Sequence, residues 1–209
     1  MVKMNNKDLA LFCYPWDVID EGYDAIIDAV KRSGLNAIYI TVNYHSGMFF
    51  LPHSKKRKIY FPEPGALYFN PSSWHNNHSF QSPISNLTEN WSQFWEELSN
   101  KCKKNNIKLC AWMLGTHNSG IGNNYPDTSV YNAWGDPITH SLCPFNSDVV
   151  DHFVNLSRDV VSLGVFDKIL IESLEYLPLR HGHHHEVIGV DFSADIDFIM
   201  SLNFSNKCL

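Results

Sequence analysis

The sequence predicts an α/β fold built from parallel strands, and more specifically the amino-terminal half of a TIM-type (β/α) barrel. Four short apolar segments alternate with four amphipathic segments along the 209 residues. The long connections follow strands and never helices, which is typical of a barrel whose functional loops emerge at one face. The first turn, Tyr14-Pro15-Trp16-Asp17, is unlike the glycine-rich turn of a doubly wound nucleotide-binding sheet.

Each predicted element is defined by its apolar spacing and by the residues that end it. Strands are predicted at 8–13, 35–42, 107–114 and 166–171, and helices at 19–33, 87–105, 147–163 and 194–202. Gly34 and Gly164 end the first and third helices, as C-terminal capping residues do. A closed barrel requires eight strands and this order supplies four. We therefore expect a single incomplete (β/α)4 domain over residues 1–209.

The bulk composition excludes several classes of protein. Charged residues make up 18% of the chain and the formal net charge is -6, so we expect no nucleic-acid partner. The basic run Lys55-Lys56-Arg57-Lys58 is interpreted as a solvated loop face, because no second basic cluster supports it. No apolar stretch approaches membrane-spanning length, and the dispersed cysteines favour reduced thiols in the cytoplasm.

The strongest candidate for chemistry is Glu172, which closes the fourth apolar strand. Residues 169–171 are apolar, so we expect a strand buried on both faces, with the carboxylate at the edge where barrels bind ligands. There Glu172 could serve as an acid/base or as a nucleophile. Asp17, after the first strand, and Glu175, one turn on, are candidate second carboxylates. Alternatively, Glu172 has only a structural role and caps its loop by accepting hydrogen bonds from backbone N–H groups.

Polar and aromatic side chains follow the other strand ends, and we expect them to converge on the same rim. Such side chains donate hydrogen bonds and stack, which suits a neutral polyol better than a phosphate. Alternatively, each histidine bonds a neighbouring loop carbonyl. The predicted substrate-binding residues are Tyr14, Trp16, Asn43, Tyr44, His45, His53, Trp112, His117, Asn118, His183 and His184.

The segment His181-Gly182-His183-His184-His185-Glu186 also suggests a metal, since catalytic zinc commonly uses histidine and carboxylate ligands. However, adjacent residues of an extended chain point to opposite sides, so at most two of residues 183–185 could bind one ion. No established metal-binding spacing is present. We therefore predict no metal and no cofactor, and expect this loop to line the ligand cleft.

Several loop motifs resemble those of uncharacterised bacterial glycoside-hydrolase-like barrel proteins. The motifs are Tyr14-Pro15-Trp16-Asp17, Asn43-Tyr44-His45-Ser46-Gly47, Leu51-Pro52-His53, Ser141-Leu142-Cys143-Pro144, Ile171-Glu172-Ser173-Leu174 and the His-rich segment. The resemblance spans nearly the whole chain and implies a longer (β/α) barrel with sugar-processing activity. The family motif Ser-Leu-Cys-Phe-Cys-x-x-Cys corresponds here to Ser-Leu-Asn-Phe-Ser-Asn-Lys-Cys at 201–208, so two of three cysteines are replaced.

The leading functional prediction is a glycoside-hydrolase-like protein that acts on or binds a carbohydrate at the carboxyl ends of the strands. One alternative is a non-catalytic carbohydrate-binding or assembly protein with a truncated barrel. The other is a metal-dependent hydrolase or isomerase that uses the His-rich loop. Because four strands leave two sheet edges unpaired, we also expect either a second copy or the long loops to cover them.

Overall fold

The computed structural model describes residues 7–181, 189–191 and 193–208. The strands are β1 (Ala10–Cys13), β2 (Ala37–Thr41), β3 (Asn43–Tyr44), β4 (Phe49–Phe50), β5 (Ile59–Tyr60), β6 (Ala66–Leu67), β7 (Lys108–Leu114), β8 (Ser129–Tyr131), β9 (Pro137–Leu142) and β10 (Lys168–Glu172). The helices are α1 (Pro15–Glu21), α2 (Tyr23–Arg32), α3 (Trp74–Asn77), α4 (Trp91–Lys104), α5 (Ser119–Asn124), α6 (Ser147–Ser162) and α7 (Ala194–Met200). No helix in these ranges combines the length and the apolar character that crossing a membrane requires.

Four parallel strands form the central sheet, in the spatial order β1-β2-β7-β10. This order follows the chain, and the crossings run through α1 and α2, then α4, then α6. Alternate strand residues, such as Ile38 and Ile40, pack with side chains of α2, α4 and α6 in one core. A doubly wound sheet would reverse its direction and carry helices on both faces. The mixed α/β prediction is confirmed, and the sheet winds in one direction.

The opposite face of the central sheet carries the alternate side chains. The Phe12 ring lies 5.5 Å from Tyr39 and 5.2 Å from Trp112, yet Phe12 is 53% exposed. At the amino-terminal end of this face, Lys108 and Lys168 both pair with Asp8. In a barrel this face would point inward. The half barrel stays a prediction, because β1 and β10 are the edges of an open sheet in the part of the chain that is described.

The fourth predicted strand forms, but it is not buried on both faces as expected. Strand β10 is an edge strand, and Leu170 and Ile171 are 36% and 42% exposed. Helix α7, the next described helix, has no buried residue and therefore does not cover it. An apolar run shows that a strand suits a buried position, but it does not show whether a neighbour is present to bury it.

The first predicted helix, 19–33, is in fact two helices. Helix α1 begins earlier, at Pro15, whose fixed φ suits the first helical position. Gly22 separates α1 from α2 with a φ of 95°, a backbone conformation that favours glycine. The helix ends before Gly34, as predicted. Apolar spacing alone does not reveal the break, because the periodicity continues across it.

The long connection predicted at 46–85 contains short elements that show no periodicity. Strand β3 pairs with β6, and β4 pairs with β5, both antiparallel. Two indoles of α4 fix the connection: Trp91 Nε1 donates to the Ser85 carbonyl at 2.9 Å, and Trp95 Nε1 donates to the Tyr68 carbonyl at 2.8 Å. This loop is therefore part of the core and supports the rim of the sheet.

The basic run at 55–58 packs on α1, which refines its interpretation as a solvated face. Arg57 binds the buried Asp20 carboxylate, with Nε 2.9 Å from Oδ2. Lys56 Nζ donates to the Ile19 carbonyl at 2.6 Å. Two of the four cations therefore attach the long loop to the first helix.

The second long loop forms α5 and a hairpin of β8 and β9. Helix α5 lies directly against β9: a Cβ added at Gly122 would come within 1.9 Å of the Thr139 carbonyl oxygen. Glycine at this position therefore permits a backbone approach that any larger residue would prevent.

Replacing Gly122 by Ala tests this close approach. The added methyl group would collide with a backbone oxygen, so we expect the free energy of unfolding to fall by about 1–3 kcal/mol. Urea unfolding followed by circular dichroism measures the change. The matched control is Asn123→Ala, an exposed position in the same helix, which should change stability by less than about 0.5 kcal/mol. Wild-type stability in Gly122→Ala would contradict the packing.

Candidate functional site

Glu172 and Trp112 meet at the carboxyl end of the central sheet. The register sets Leu170 opposite Trp112, so Glu172 and Trp112 lie on the same face, two residues apart. Trp112 Nε1 donates a hydrogen bond to Glu172 Oε2 at 2.6 Å. Hydrogen bonds to an ionised carboxylate are stronger than those between neutral groups. This bond therefore fixes the direction of the carboxylate, whose residue is otherwise exposed.

Three aromatic side chains form a platform beside this carboxylate: Tyr14, Tyr44 and Trp112. The Tyr44 ring lies 5.3 Å from Tyr14 and 5.8 Å from Trp112. The two phenol oxygens are 3.5 Å apart, and burial raises the pKa of both phenols. The hydroxyls therefore stay protonated at neutral pH. Tyr14 and Tyr44 are half-buried and Trp112 is buried, so the platform presents parts of two phenol rings and their neutral hydroxyls beside Glu172.

Four histidines form a cluster that continues the platform: His45, His117, His140 and His181. The rings of His45 and His117 stack with centroids 3.7 Å apart, and His181 lies 4.6 Å from His117. Tyr44 joins the cluster to the platform through a 4.6 Å stack on His45. His140 reaches the cluster from β9, at 6.3 Å from His117 and from His181. The predicted convergence of His45 and His117 at one rim is thus observed as geometry.

The His45 imidazole of this cluster is neutral at physiological pH. Burial, and after it the neighbouring His181 and His140, lowers the pKa of the His45 imidazole to about 4. Among the described residues, no group of three or more His, Cys, Asp or Glu side chains could hold a metal ion. His183 and His184 lie outside the described residues, so their roles stay predictions.

The two candidate second carboxylates occupy different environments. Asp17 accepts a hydrogen bond from the Tyr14 backbone at 3.0 Å, in the first turn of α1. Burial raises the pKa of Asp17 to about 6, although that hydrogen bond opposes the shift. Glu175 is exposed, and its backbone carbonyl accepts a hydrogen bond from Thr116 Oγ1 at 2.8 Å. Asp17 therefore supports the fold at the rim, whereas the Glu175 side chain points to solvent.

Four of the predicted binding residues lie beneath or away from the platform. Trp16 has no exposed surface and stacks against Tyr14 at 4.4 Å, so it supports the platform from within the core. Asn43 is buried, and its amide bonds both backbone groups of Leu114 at 2.9 and 3.0 Å. Because Asn43 is buried and its amide is held by the backbone, it is not positioned to contact a ligand.

The other two predicted binding residues, Asn118 and His53, also lie away from the platform. Asn118 is buried and caps α5, where its Oδ1 accepts from the Ile121 backbone at 3.0 Å. His53 is exposed in the connection between β4 and β5.

Conversely, sequence reasoning did not single out His140, because it lies in an antiparallel hairpin that only tertiary packing brings to the rim.

The depressed pKa of His45 predicts a loss of stability in acid. In the unfolded chain this imidazole titrates near 6.5, so between about pH 6.5 and 4 the unfolded state binds the proton and the folded state does not. Stability therefore falls as the pH drops through this window. Because His45 retains some solvent contact, we expect a loss of about 1–2 kcal/mol.

Urea unfolding of the wild type and of His45→Gln at pH 8 and pH 4.5 measures this effect. The variant should lose about 1–2 kcal/mol less than the wild type between the two pH values. The pH 8 measurement is the control for lost stacking, since His45 is neutral there. An identical acid loss in both proteins would show that His45 is not the group responsible.

Comparison with known proteins reveals a likeness of fold. No protein-family model matches the sequence, and no curated protein sequence matches it either. A hypothetical protein from Ruminiclostridium thermocellum has a TM-score of 0.52 at 15% identity, over 78% of this chain and 75% of that protein. The noncanonic maltogenic alpha-amylase AmyB from Thermotoga neapolitana has a TM-score of 0.50 at 13% identity, over 84% of this chain.

The alignment covers 41% of the amylase, so the chain spans less than half of that enzyme's length. At such identities the likeness concerns the fold alone. The central sheet and its helices are thus similar in fold to these two proteins.

Proposed function

We propose that this protein binds a neutral carbohydrate at the carboxyl end of its central sheet. The aromatic platform would stack on the sugar ring, and Glu172 would accept hydrogen bonds from its hydroxyls. The observation that carries the proposal is the 2.6 Å hydrogen bond from Trp112 to Glu172. It sets a fixed carboxylate beside three aromatic rings, and a few placed polar groups on an apolar surface are what orient a small ligand.

Three further features support a sugar over a charged ligand. Burial keeps the hydroxyls of Tyr14 and Tyr44 protonated, so each can both donate and accept a hydrogen bond. The neutral His45 adds no positive charge that would attract a phosphate at pH 7. The fold is also similar to that of a maltogenic alpha-amylase. An uncharged polyol with an apolar ring face matches this surface best.

Hydrolysis is the second candidate function, and the environment of Asp17 favours it. Glycosidases need two carboxyl groups, at about 5–5.5 Å for retention or about 6.5–9.5 Å for inversion of configuration. A buried acid whose pKa is raised to about 6 suits proton donation. Glu172 would then be the acid/base or nucleophile with Asp17 or Glu175 as its partner. Because Asp17 also caps α1, we rank binding first.

The variant Glu172→Gln separates binding from hydrolysis. Gln keeps the size of the side chain and one acceptor oxygen. The dissociation constant of a bound sugar should therefore rise less than about fivefold, which corresponds to the net energy of about one neutral hydrogen bond. Calorimetric titration with maltotriose measures the binding, and a reducing-sugar assay measures cleavage. Glu172→Ala, which removes both oxygens, should weaken binding about tenfold.

Two results would overturn the order of the candidates. Cleavage of maltotriose by the wild type that disappears in Glu172→Gln, with binding retained, would establish hydrolysis instead. Failure of the wild type to bind maltose, cellobiose, xylobiose and chitobiose at millimolar concentration would reject the carbohydrate proposal altogether.

The platform itself can be tested through Tyr44→Leu, which replaces a ring by an aliphatic side chain. Loss of one stacking face should weaken maltotriose binding about 3- to 10-fold, given the energy of an aromatic contact. The matched control is Trp134→Leu on the β8–β9 hairpin, where the indole is 70% exposed. Equal affinities of both variants would contradict a role for the platform, provided circular dichroism shows both are folded.

A further inference from the structure

Two cysteine sulfurs lie side by side outside the aromatic platform. Cys143 directly follows β9, and Cys208 comes after α7, so 65 positions separate them along the chain. Their Sγ atoms are 3.8 Å apart. All five cysteines fall within the described residues and are free thiols. An S–S bond is about 2.05 Å long, so the two sulfurs would have to approach by roughly 1.8 Å to form one.

The two sulfurs share a polar neighbour. Asn203 Nδ2 donates to Cys143 Sγ at 3.2 Å and to Cys208 Sγ at 2.8 Å. The Tyr176 hydroxyl lies 3.6 Å from Cys208 Sγ. Hydrogen bonds donated to sulfur favour the thiolate, which is the reactive form of cysteine. The hydrogen-bond donors around the pair therefore favour the thiolate form, which is the form that reacts with an oxidant.

Cys143 differs in its acidity from three other buried cysteines. Burial raises the pKa of the Cys143 thiol, but hydrogen bonds from Ser205, from the Phe145 backbone and from Asn203 outweigh it, so the pKa lies below its ordinary value. For Cys13, Cys102 and Cys110, by contrast, burial raises the pKa. A buried cysteine with a purely structural role does not require hydrogen-bond donors around its sulfur.

Cys208 can be reached from solvent, whereas Cys143 is fully buried. An open groove of about 500 Å³ borders Cys208, and its other lining residues include Phe145, Tyr176, Phe198 and Leu202. A small oxidant can enter this groove. The accessible sulfur of Cys208 and the buried sulfur of Cys143 thus have different positions and suit different steps.

We propose that Cys143 and Cys208 form a redox-active dithiol that closes to a disulfide when a peroxide oxidises it. The Cys208 thiolate attacks one peroxide oxygen, the O–O bond breaks, and hydroxide leaves and takes up the thiol's proton as water. The Cys143 thiolate then attacks the sulfur of the Cys208 sulfenic acid. The S–S bond forms, the S–O bond breaks, and hydroxide leaves with the Cys143 proton as a second water.

The electrons balance in this sequence. The two thiols together lose two electrons and two protons, and one hydrogen peroxide is reduced to two waters. A small thiol such as glutathione reverses the change by disulfide exchange. The bridge would tie the carboxyl-terminal segment to the hairpin that carries His140 into the histidine cluster.

The experiment treats the reduced 209-residue chain with hydrogen peroxide and counts thiols after denaturation. We expect two of the five thiols to disappear, and mass spectrometry of peptides to find Cys143 joined to Cys208. Because the bridge closes a long loop, the oxidised protein should melt roughly 5–15 °C higher than the reduced one. Survival of all five thiols, or a bridge between other cysteines, would overturn the proposal.

Three variants make the test specific. Cys208→Ser should lose no thiol to a bridge, whereas the control Cys102→Ser should still lose two. Asn203→Leu removes the shared donor and should slow bridge formation at least about threefold, if thiolate stabilisation drives the reaction. A bridge that forms at the wild-type rate in Asn203→Leu would refute the role of the donor, and thiol loss in Cys208→Ser equal to wild type would refute the pair.

Discussion

Packing of α2, α4 and α6 against one face of the parallel sheet is the constraint on which the rest of this structure depends. Because every crossing helix lies on that side, the four strands run in chain order. They are parallel, so their carboxyl ends lie together at one end of the sheet. The loops that follow them must therefore meet there. The large apolar side chains of this core, among them Trp95 and Leu98, hold the helices in place and so determine where the polar residues gather.

The rim itself is rigid because its polar groups bond to backbone. The Asn43 amide pairs with both backbone groups of Leu114, and so connects the end of β2 to the end of β7. Trp95 holds the long loop through the Tyr68 carbonyl. Trp112 and Glu172 both lie in strands of this frame, so the hydrogen bond between them does not depend on ordering a loop. A pre-organised surface of this kind loses little freedom when a ligand binds.

The β8–β9 hairpin connects the two sites that we propose. It delivers His140 to the histidine cluster, and Cys143 follows it directly. The loop after β10 is also shared, since Tyr176 contacts Cys208 while His181 contacts His117. Closure of the dithiol would act on the same two segments that contribute His140 and His181 to the histidine cluster.

The sequence by itself determined the order of the four central strands and of the helices that connect them, and it identified Glu172 as a strand-end carboxylate, because apolar periodicity is a local property of the chain. Only the tertiary structure decided which rim residues face outward. Asn43 turned out to bond a backbone 71 residues away, and His140 arrives from a hairpin without helical or parallel-strand periodicity. Such contacts arise when distant segments meet, and their partners leave no regular spacing in the sequence.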